Sequence, residues 1–394
     1  MLAAVHAHHD LIDQMIARGA LWSAALIAAF RATPRLYFLD RLWGPREGRW
    51  RAVDVDAPTE EDLAAVYADR AVTTRLSEDS VAVSSSSQPS LMAGMLEDLR
   101  LGRGQRVLEV GAGTGYNAAL LAHVVGPVLS IDVDQQVLAD ARRHLARFPD
   151  REARLVHGDG REGWPEAAPF DRIQVTAATD DLEPAWLAQV RPGGVVQAPL
   201  DVGPGLAWVV QGEVTKGAFS GGLTRGAYFM PLRDEAESGR DRNVPAGPLP
   251  GPEGLIAAAP PWSKWSDLRP VGGGDFLTSL AVLAWLEGGT LGHASCPDGR
   301  AGYGVADPIR EEACWLGPHE WRVTGEGGKR LGMDLWRRWL DLGAPRPNEW
   351  RLRAVPLGTP LDLDPAARAA YWRRGRRCEQ AWELVEPRCR GSSD

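Results

Sequence analysis

The chain has 394 residues, more than one ordinary core, and the working figure of about 150 residues per domain predicts two or three domains. Apolar residues make up 44% and charged residues 24%, a globular balance that excludes a wholly disordered chain, and no apolar run is long enough to span a bilayer. The formal net charge of −8 excludes a broad cationic footprint for nucleic acid.

Asp10 and Asp13 fall within the first twenty residues, and no basic cluster precedes an apolar stretch, so a cytoplasmic chain without a signal peptide is expected. Cys296, Cys314, Cys378 and Cys389 form no CxxC pair, which predicts free thiols and no structural zinc. His6, His8 and His9 read as a solvated tail, and His293, Cys296, Cys314 and His319 are too irregularly spaced for a metal site. Arginine outnumbers lysine 41 to 3, which reads as coding bias rather than phosphate binding.

Residues 1–40 predict two helices, broken at Gly19 and stopped at Thr33-Pro34. Residues 40–80 are irregular apart from a short helix at 60–67, and the run Ser84-Ser85-Ser86-Ser87-Gln88-Pro89 precedes a helix at 91–99. Strands and helices then alternate: strands at 106–110, 128–132, 154–157 and 172–176, with helices at 117–125, 135–148 and 186–190. Further strands are expected at 194–199 and 207–211. Such alternation predicts parallel strands joined by crossover helices, an α/β doubly wound sheet.

A Gly/Pro-rich linker is expected at 236–262, and beyond it an α+β unit; ten of the sixteen tryptophans fall from Trp262 onward. There, 276–286 reads as strand or buried helix, 330–342 as an amphipathic helix and 350–354 as a half-exposed strand.

The chemistry concentrates after the strand at 106–110. Glu109-Val110-Gly111-Ala112-Gly113-Thr114-Gly115 has GxGxG spacing with Tyr116 next, unlike the GxGxxG of a pyrophosphate-binding dinucleotide loop. It suits a ligand with an uncharged stem and an amino-acid head, such as S-adenosylmethionine, whose ammonium Glu109 would reach directly or through water. Asp132 lies seventeen residues past Gly115 at the end of the next strand, placed for a ribose diol, with Val133 behind it. Asp159 and Gly160 follow the third strand, where the acid would accept from an adenine amine, and Thr176 closes the fourth. The bland alternative is that Asp132 and Asp159 merely cap the helices that follow.

On these residues the chain resembles the protein-L-isoaspartate O-methyltransferase family over about residues 8–235. The matching patterns are Tyr67-Ala68-Asp69, Ser87-Gln88-Pro89, residues 107–111, Gly158-Asp159-Gly160 with Ala168-Pro169-Phe170-Asp171, Arg191-Pro192-Gly193-Gly194, and residues 228–232. One departure is that Val83 and Ser84–Ser86 stand where the family's repair enzymes place Gly and a Thr-Ile pair. The serine run and the Trp-rich C-terminal part resemble a narrower branch that modifies ribosomally made peptides such as graspetides and lanthipeptides.

The resemblance implies a class I methyltransferase fold: N-terminal helices at 1–75 on the substrate side, a cofactor domain at 76–235 and a peptide-recognition domain at 263–394. It implies S-adenosylmethionine as methyl donor and S-adenosylhomocysteine as product. Ser87 would orient the acceptor carboxylate, with Ser86 and Ser85 as weaker candidates. The substrate implied by the narrower branch is an aspartate in a constrained precursor peptide, and that implied by the wider family is an isoaspartyl residue. The peptide is the expected partner, the chain is expected to be a monomer, and neither nucleic acid, membrane nor metal is expected. Trp262, Trp265, Trp336, Trp339 and Trp350 are candidates for a wall against which the peptide docks.

Overall fold

The structure is a computed structural model that describes residues 2–44, 48–78, 80–203, 206–233, 256–258, 275–295, 301–307, 312–316 and 321–385. The chain forms two compact units, the first built from Met1–Ala177, Ala185–Ala198 and Met230–Asp241, the second from Ala178–Pro184, Pro199–Phe229 and Arg242–Asp394. The boundary expected at 235 therefore moves: 199–229 pack with the C-terminal residues, while most of the expected linker lies outside the described residues.

In the first unit, α1 (Leu2–Ala17) and α2 (Ala24–Ala32) lead into a 3-10 turn at Arg35–Phe38. His8 lies inside α1, only 4% exposed, with its ring 5.5 Å from that of Tyr67. The apolar face of α1 carries it into the core, which corrects the expected solvated tail. The stretch expected to be irregular contains strands β1 (Arg41–Gly44) and β2 (Arg49–Ala52), paired as a hairpin, and the helix α3 (Glu60–Val66). Thr59 and Asp62 form a reciprocal capping box at the start of α3.

A second hairpin pairs β3 (Val72–Leu76) with β4 (Ala82–Ser86), so three of the four serines are strand residues; α4 (Pro89–Asp98) follows at once. The parallel sheet comprises β5 (Val107–Val110), β6 (Val128–Asp132), β7 (Ala153–His157), β8 (Phe170–Val175) and the first part of β9 (Val190–Gly203), in the order β9-β8-β5-β6-β7. Helices α5 (Tyr116–Val125), α6 (Gln135–Leu145) and α7 (Pro184–Gln189) connect these strands. All four residues of β5 are buried, as expected of a strand covered on both faces. Order reversal places β5 at the switch point, where ligands bind at the carboxyl ends of strands.

The second unit pairs β10 (Leu206–Thr215) with β11 (Ala218–Ala227) and contains β12 (Ile256–Ala258), α8 (Asp275–Leu286), β13 (Thr290–Ser295), β14 (Ala301–Asp307), β15 (Glu312–Leu316) and β16 (Trp321–Val323). It ends with α9 (Gly325–Asp341), β17 (Trp350–Pro356), β18 (Ala369–Arg374) and β19 (Cys378–Leu384). Strands β12 to β16 make an antiparallel sheet, and β11, β17, β19 and β18 pair antiparallel in that order.

Its tryptophans make core. Trp339 and Trp350 are fully buried, and both indoles donate to the Oγ of buried Ser279 at 3.3 Å. Trp336 is 8% exposed, so none of these three forms the expected docking wall, and Trp262 and Trp265 lie outside the described residues. Cys314 and Cys378 are free and buried, their thiols pushed up to about 12 mainly by burial. Cys296, Cys389 and His319, and the side chain of His293, lie outside what is described; among the described residues no acid, histidine and cysteine group could hold a metal.

Candidate active site

The loop from β5 to α5 is built on three glycines with left-handed backbone: Gly111, Gly113 and Gly115 at φ +99°, +51° and +82°. They serve different neighbours. A Cβ on Gly111 would lie 2.4 Å from Thr176 Oγ1, which itself bonds the carbonyls of Val110 and Gly111 at 3.0 and 2.8 Å. A Cβ on Gly115 would press on Ala141 and Leu145 of α6. Gly113 is the least crowded of the three, meeting only the Ser85 carbonyl, 3.4 Å from the Cβ position.

Ala112 and Thr114 are buried, and the Thr114 carbonyl pairs with His144 Nδ1 at 3.0 Å. Tyr116 packs on Phe30 and Phe38, so the residue that breaks the dinucleotide spacing is an anchor for the N-terminal helices.

Asp132 ends β6 with one oxygen accepting from Gly113 N–H at 3.2 Å and the other from Asp134 N–H at 3.0 Å. Capping of α6 falls to Asp134, which accepts from Gln136 and Val137, so Asp132 is left with its acceptors directed at the loop. Burial raises its carboxyl above the ordinary range. The carbonyl of Val133 beside it meets His157 Nε2 at 3.0 Å.

Asp159 is more committed. It caps the 3-10 turn Gly160–Glu162 through Arg161 N–H and also receives the Arg161 guanidinium at 3.1 Å. Gly160 itself lies against β5, where a Cβ would be 2.3 Å from Val110 Cγ1.

Glu109, expected to reach a ligand ammonium directly or through water, is wholly buried. Its alternation along β5 turns it into the sheet, where Ser130 donates to one oxygen and Asn117 to the other at 2.7 Å. Asn117 continues to Gln174 at 2.9 Å, Gln174 to Gln197 at 3.1 Å, and Gln197 to the Met95 carbonyl of α4 at 3.0 Å. This buried polar chain holds the β5 loop, β8, β9 and α4 in one register. Desolvation pushes the Glu109 carboxyl up to about 7.

The serines divide by environment. Ser84 and Ser86 are buried, whereas Ser85 and Ser87 are half-buried. Ser86 Oγ accepts from Arg35 Nε at 3.3 Å, so it faces the core and not an acceptor. Arg35 is the site residue that the sequence reading missed: fully buried, its guanidinium also reaches the carbonyls of Ser86 and Ser87 at 3.2 and 3.0 Å. Asp69 accepts from Ser90 N–H at 2.9 Å and so caps α4 directly after Ser87-Gln88-Pro89.

The donor set fits S-adenosylmethionine. Carboxylates at Asp132 and Asp159 suit a diol and an amine, and Gly113, which meets only the Ser85 carbonyl, admits a close stem.

Comparison with known proteins agrees with this geometry. The family model for Protein-L-isoaspartate(D-aspartate) O-methyltransferase matches residues 6–237. Protein-L-isoaspartate O-methyltransferase 1 of Anaeromyxobacter sp. (strain Fw109-5) is 44% identical over 148 residues, covering 37% of this chain and 68% of that relative. The Thermotoga maritima enzyme is 41% identical over 128 residues, covering 32% of this chain and 40% of its own length. A solved protein-L-isoaspartate O-methyltransferase has the same fold, with TM-score 0.51 and 23% identity over 88% of this chain and 96% of its own. By the match over residues 6–237, this chain belongs to the protein-L-isoaspartate (D-aspartate) O-methyltransferase family and is an S-adenosylmethionine-dependent O-methyltransferase.

Proposed function

We propose that the enzyme methylates the free carboxylate of an L-isoaspartyl residue in a peptide or protein, the activity named in its relatives. The observation that carries this reading is the approach of the Ser85 carbonyl to Gly113, which sets the acceptor serines beside the cofactor loop.

Bound S-adenosylmethionine supplies a methyl group activated by its sulfonium. The acceptor carboxylate is already ionised at neutral pH, so the protein needs no general base. Its tasks are alignment and exclusion of water, because charge is annihilated as the new bond forms and a dry site favours that change. The half-buried Ser87 donates its hydroxyl to one acceptor oxygen and leaves the other free to react. Asp132, aligned by the Gly113 and Asp134 amides, would hold the ribose side of the cofactor. Glu109 acts from behind, fixing the loop through Asn117 and Ser130. The product ester then reacts within the peptide: the next backbone nitrogen attacks the ester carbonyl, a C–N bond forms, methanol leaves, and a succinimide results.

A second reading is favoured by the β3–β4 hairpin, which brings Ser84–Ser86 to the site as a paired strand, and by the additional C-terminal unit. Here the substrate is the side-chain carboxylate of an ordinary aspartate in a constrained, ribosomally made precursor peptide. Residues 263–394 then serve recognition, with Trp372, 57% exposed on β18, as an aromatic contact.

Intact-mass analysis separates the two. An isoaspartyl peptide and a matched cyclic aspartyl peptide are incubated with S-adenosylmethionine. Methyl gain on the isoaspartyl peptide alone supports the repair activity. Methyl gain on the aspartyl peptide followed by net loss of water supports the biosynthetic one. Methylation of neither refutes both.

A further inference from the structure

Arg35 breaks the rule that buried charges are paired with opposite charges. It sits in the turn after Pro34, fully buried, and among the described residues no carboxylate lies within ion-pair distance of it. Its partners are backbone. Nη1 donates to the carbonyls of Val66 and Ala68 at 2.8 and 3.2 Å, and Nη2 to those of Arg70, Ser86 and Ser87 at 3.1, 3.2 and 3.0 Å, while Nε reaches Ser86 Oγ at 3.3 Å.

These acceptors come from two separate segments. One is the turn after α3 that leads into β3; the other is the end of β4 where it passes into α4. The Ala68 carbonyl also accepts from the Arg70 N–H at 2.8 Å, and a planar fork of five N–H groups is the side chain able to gather carbonyls from both segments. Burial pulls the guanidinium down to about 10, so it stays charged at neutral pH. A buried cation costs stability that an apolar side chain of equal volume would not. The fold retains it next to Ser87, two residues past the Ser85 carbonyl that faces Gly113.

We propose that Arg35 is a positioning residue for methyl transfer: it holds the Ser86–Ser87 backbone at the pitch that presents the acceptor carboxylate to the cofactor loop. The inference rests on reading Ser87 as the acceptor-orienting residue. Arg35 acts through that loop and does not touch the substrate.

The test uses the full chain with Arg35→Gln and Arg35→Lys, an isoaspartyl peptide or whichever peptide the enzyme methylates, and S-adenosylhomocysteine as cofactor probe. Misplaced reacting groups cost on the order of 100-fold in rate. Arg35→Gln is therefore expected to lower kcat about 100-fold, with KM for the peptide moved less than about threefold. Its affinity for S-adenosylhomocysteine by titration calorimetry stays within the same threefold margin. Arg35→Lys keeps the charge but not the fork, so it recovers only part of the rate.

Wild-type kcat in either folded variant overturns the proposal. So does a parallel loss of cofactor affinity and rate, which would make Arg35 a general scaffold residue. Failure of both variants to fold overturns it as well, because a group required for the whole fold is not a device of this loop. Ser87→Ala separates the two readings. Full turnover there with slow Arg35→Gln ends the serine's orienting role and leaves Arg35 holding the loop backbone. Slow Ser87→Ala with normal Arg35 variants keeps the serine and ends this inference.

Discussion

Glu109→Gln tests whether the buried brace behind the glycine loop carries the electrostatic cost its surroundings imply. The wild-type carboxyl stands at about 7 in the folded chain against 4.5 for the free group, because desolvation outweighs the donors Ser130 and Asn117. The folded state therefore holds this proton more tightly than the unfolded state. Below pH 4.5 both states are protonated and the side chain carries no ionisation penalty. As pH rises through the interval up to about 7, the folded state becomes less favourable relative to the unfolded one, and above that the penalty is constant. At about 1.4 kcal/mol per tenfold in the proton equilibrium, the full penalty is about 3 kcal/mol. Glutamine cannot ionise, so it escapes that cost. It does disturb the Ser130 and Asn117 bonds, at about 1 kcal/mol independent of pH. Urea unfolding of both proteins at pH 4.5 and 8.5 should show the variant slightly weaker in acid and stronger in base, the difference between them shifting by about 3 kcal/mol. A difference flat to within about 0.5 kcal/mol, with unchanged m-values, would refute the reasoning.

Three further outcomes follow from the same geometry. Asp132→Ala removes the acceptor aligned by two backbone amides, and loss of charged hydrogen bonds of about 1.5–3 kcal/mol should weaken S-adenosylhomocysteine binding roughly ten- to hundredfold by calorimetry; unchanged affinity would remove Asp132 from the cofactor site. Gly115→Ala combines a left-handed backbone with pressure on α6 and should cost about 1–3 kcal/mol in denaturant unfolding, whereas Asp159→Asn, which weakens the half-buried Arg161 pairing but keeps an acceptor oxygen, should cost about 1 kcal/mol. Trp339→Ala empties a fully buried site and removes one of the two donors to the Pro345 carbonyl, Ser279 being the other, so a loss of about 3–5 kcal/mol is expected in the same assay.

The parallel half of the fold was legible because its strands are covered on both faces and so read as unbroken apolar runs. Val107-Leu108 and Val128-Leu129 are such runs; the first is followed by the largely apolar, buried α5 and the second by the amphipathic α6. The hairpins were not legible for the opposite reason. Ser84, Ser85 and Ser86 carry no apolar alternation; they form a strand because β3 pairs with them and because the core offers Ser84 and Ser86 buried places. β11 was hidden in a different way. Its glycines Gly221 and Gly222 resemble a loop in sequence, yet a Cβ on Gly221 would lie 2.2 Å from the Gln211 carbonyl of the adjacent strand. Close strand approach, not turn chemistry, sets that composition.

The site shows where reading by residue type stops. Acids at the ends of successive strands were visible, but their separate environments were not: Asp132 faces the loop, Asp159 is tied to Arg161, and Glu109 points into the sheet. Strand alternation was the one available signal for Glu109, since a four-residue strand buried throughout leaves it no solvent-facing side. Arg35 was harder still. In a chain with 41 arginines against 3 lysines, composition gives each arginine the same bland explanation. What distinguishes Arg35 is its local company, Pro34 before it and Leu36 and Phe38 after it, both of them buried. An arginine held in an apolar turn must find its donors' partners in backbone or carboxylates. Among the described residues Asp69 acts on it only from beyond ion-pair distance, so the direct partners are backbone carbonyls, those of Ser86 and Ser87 among them.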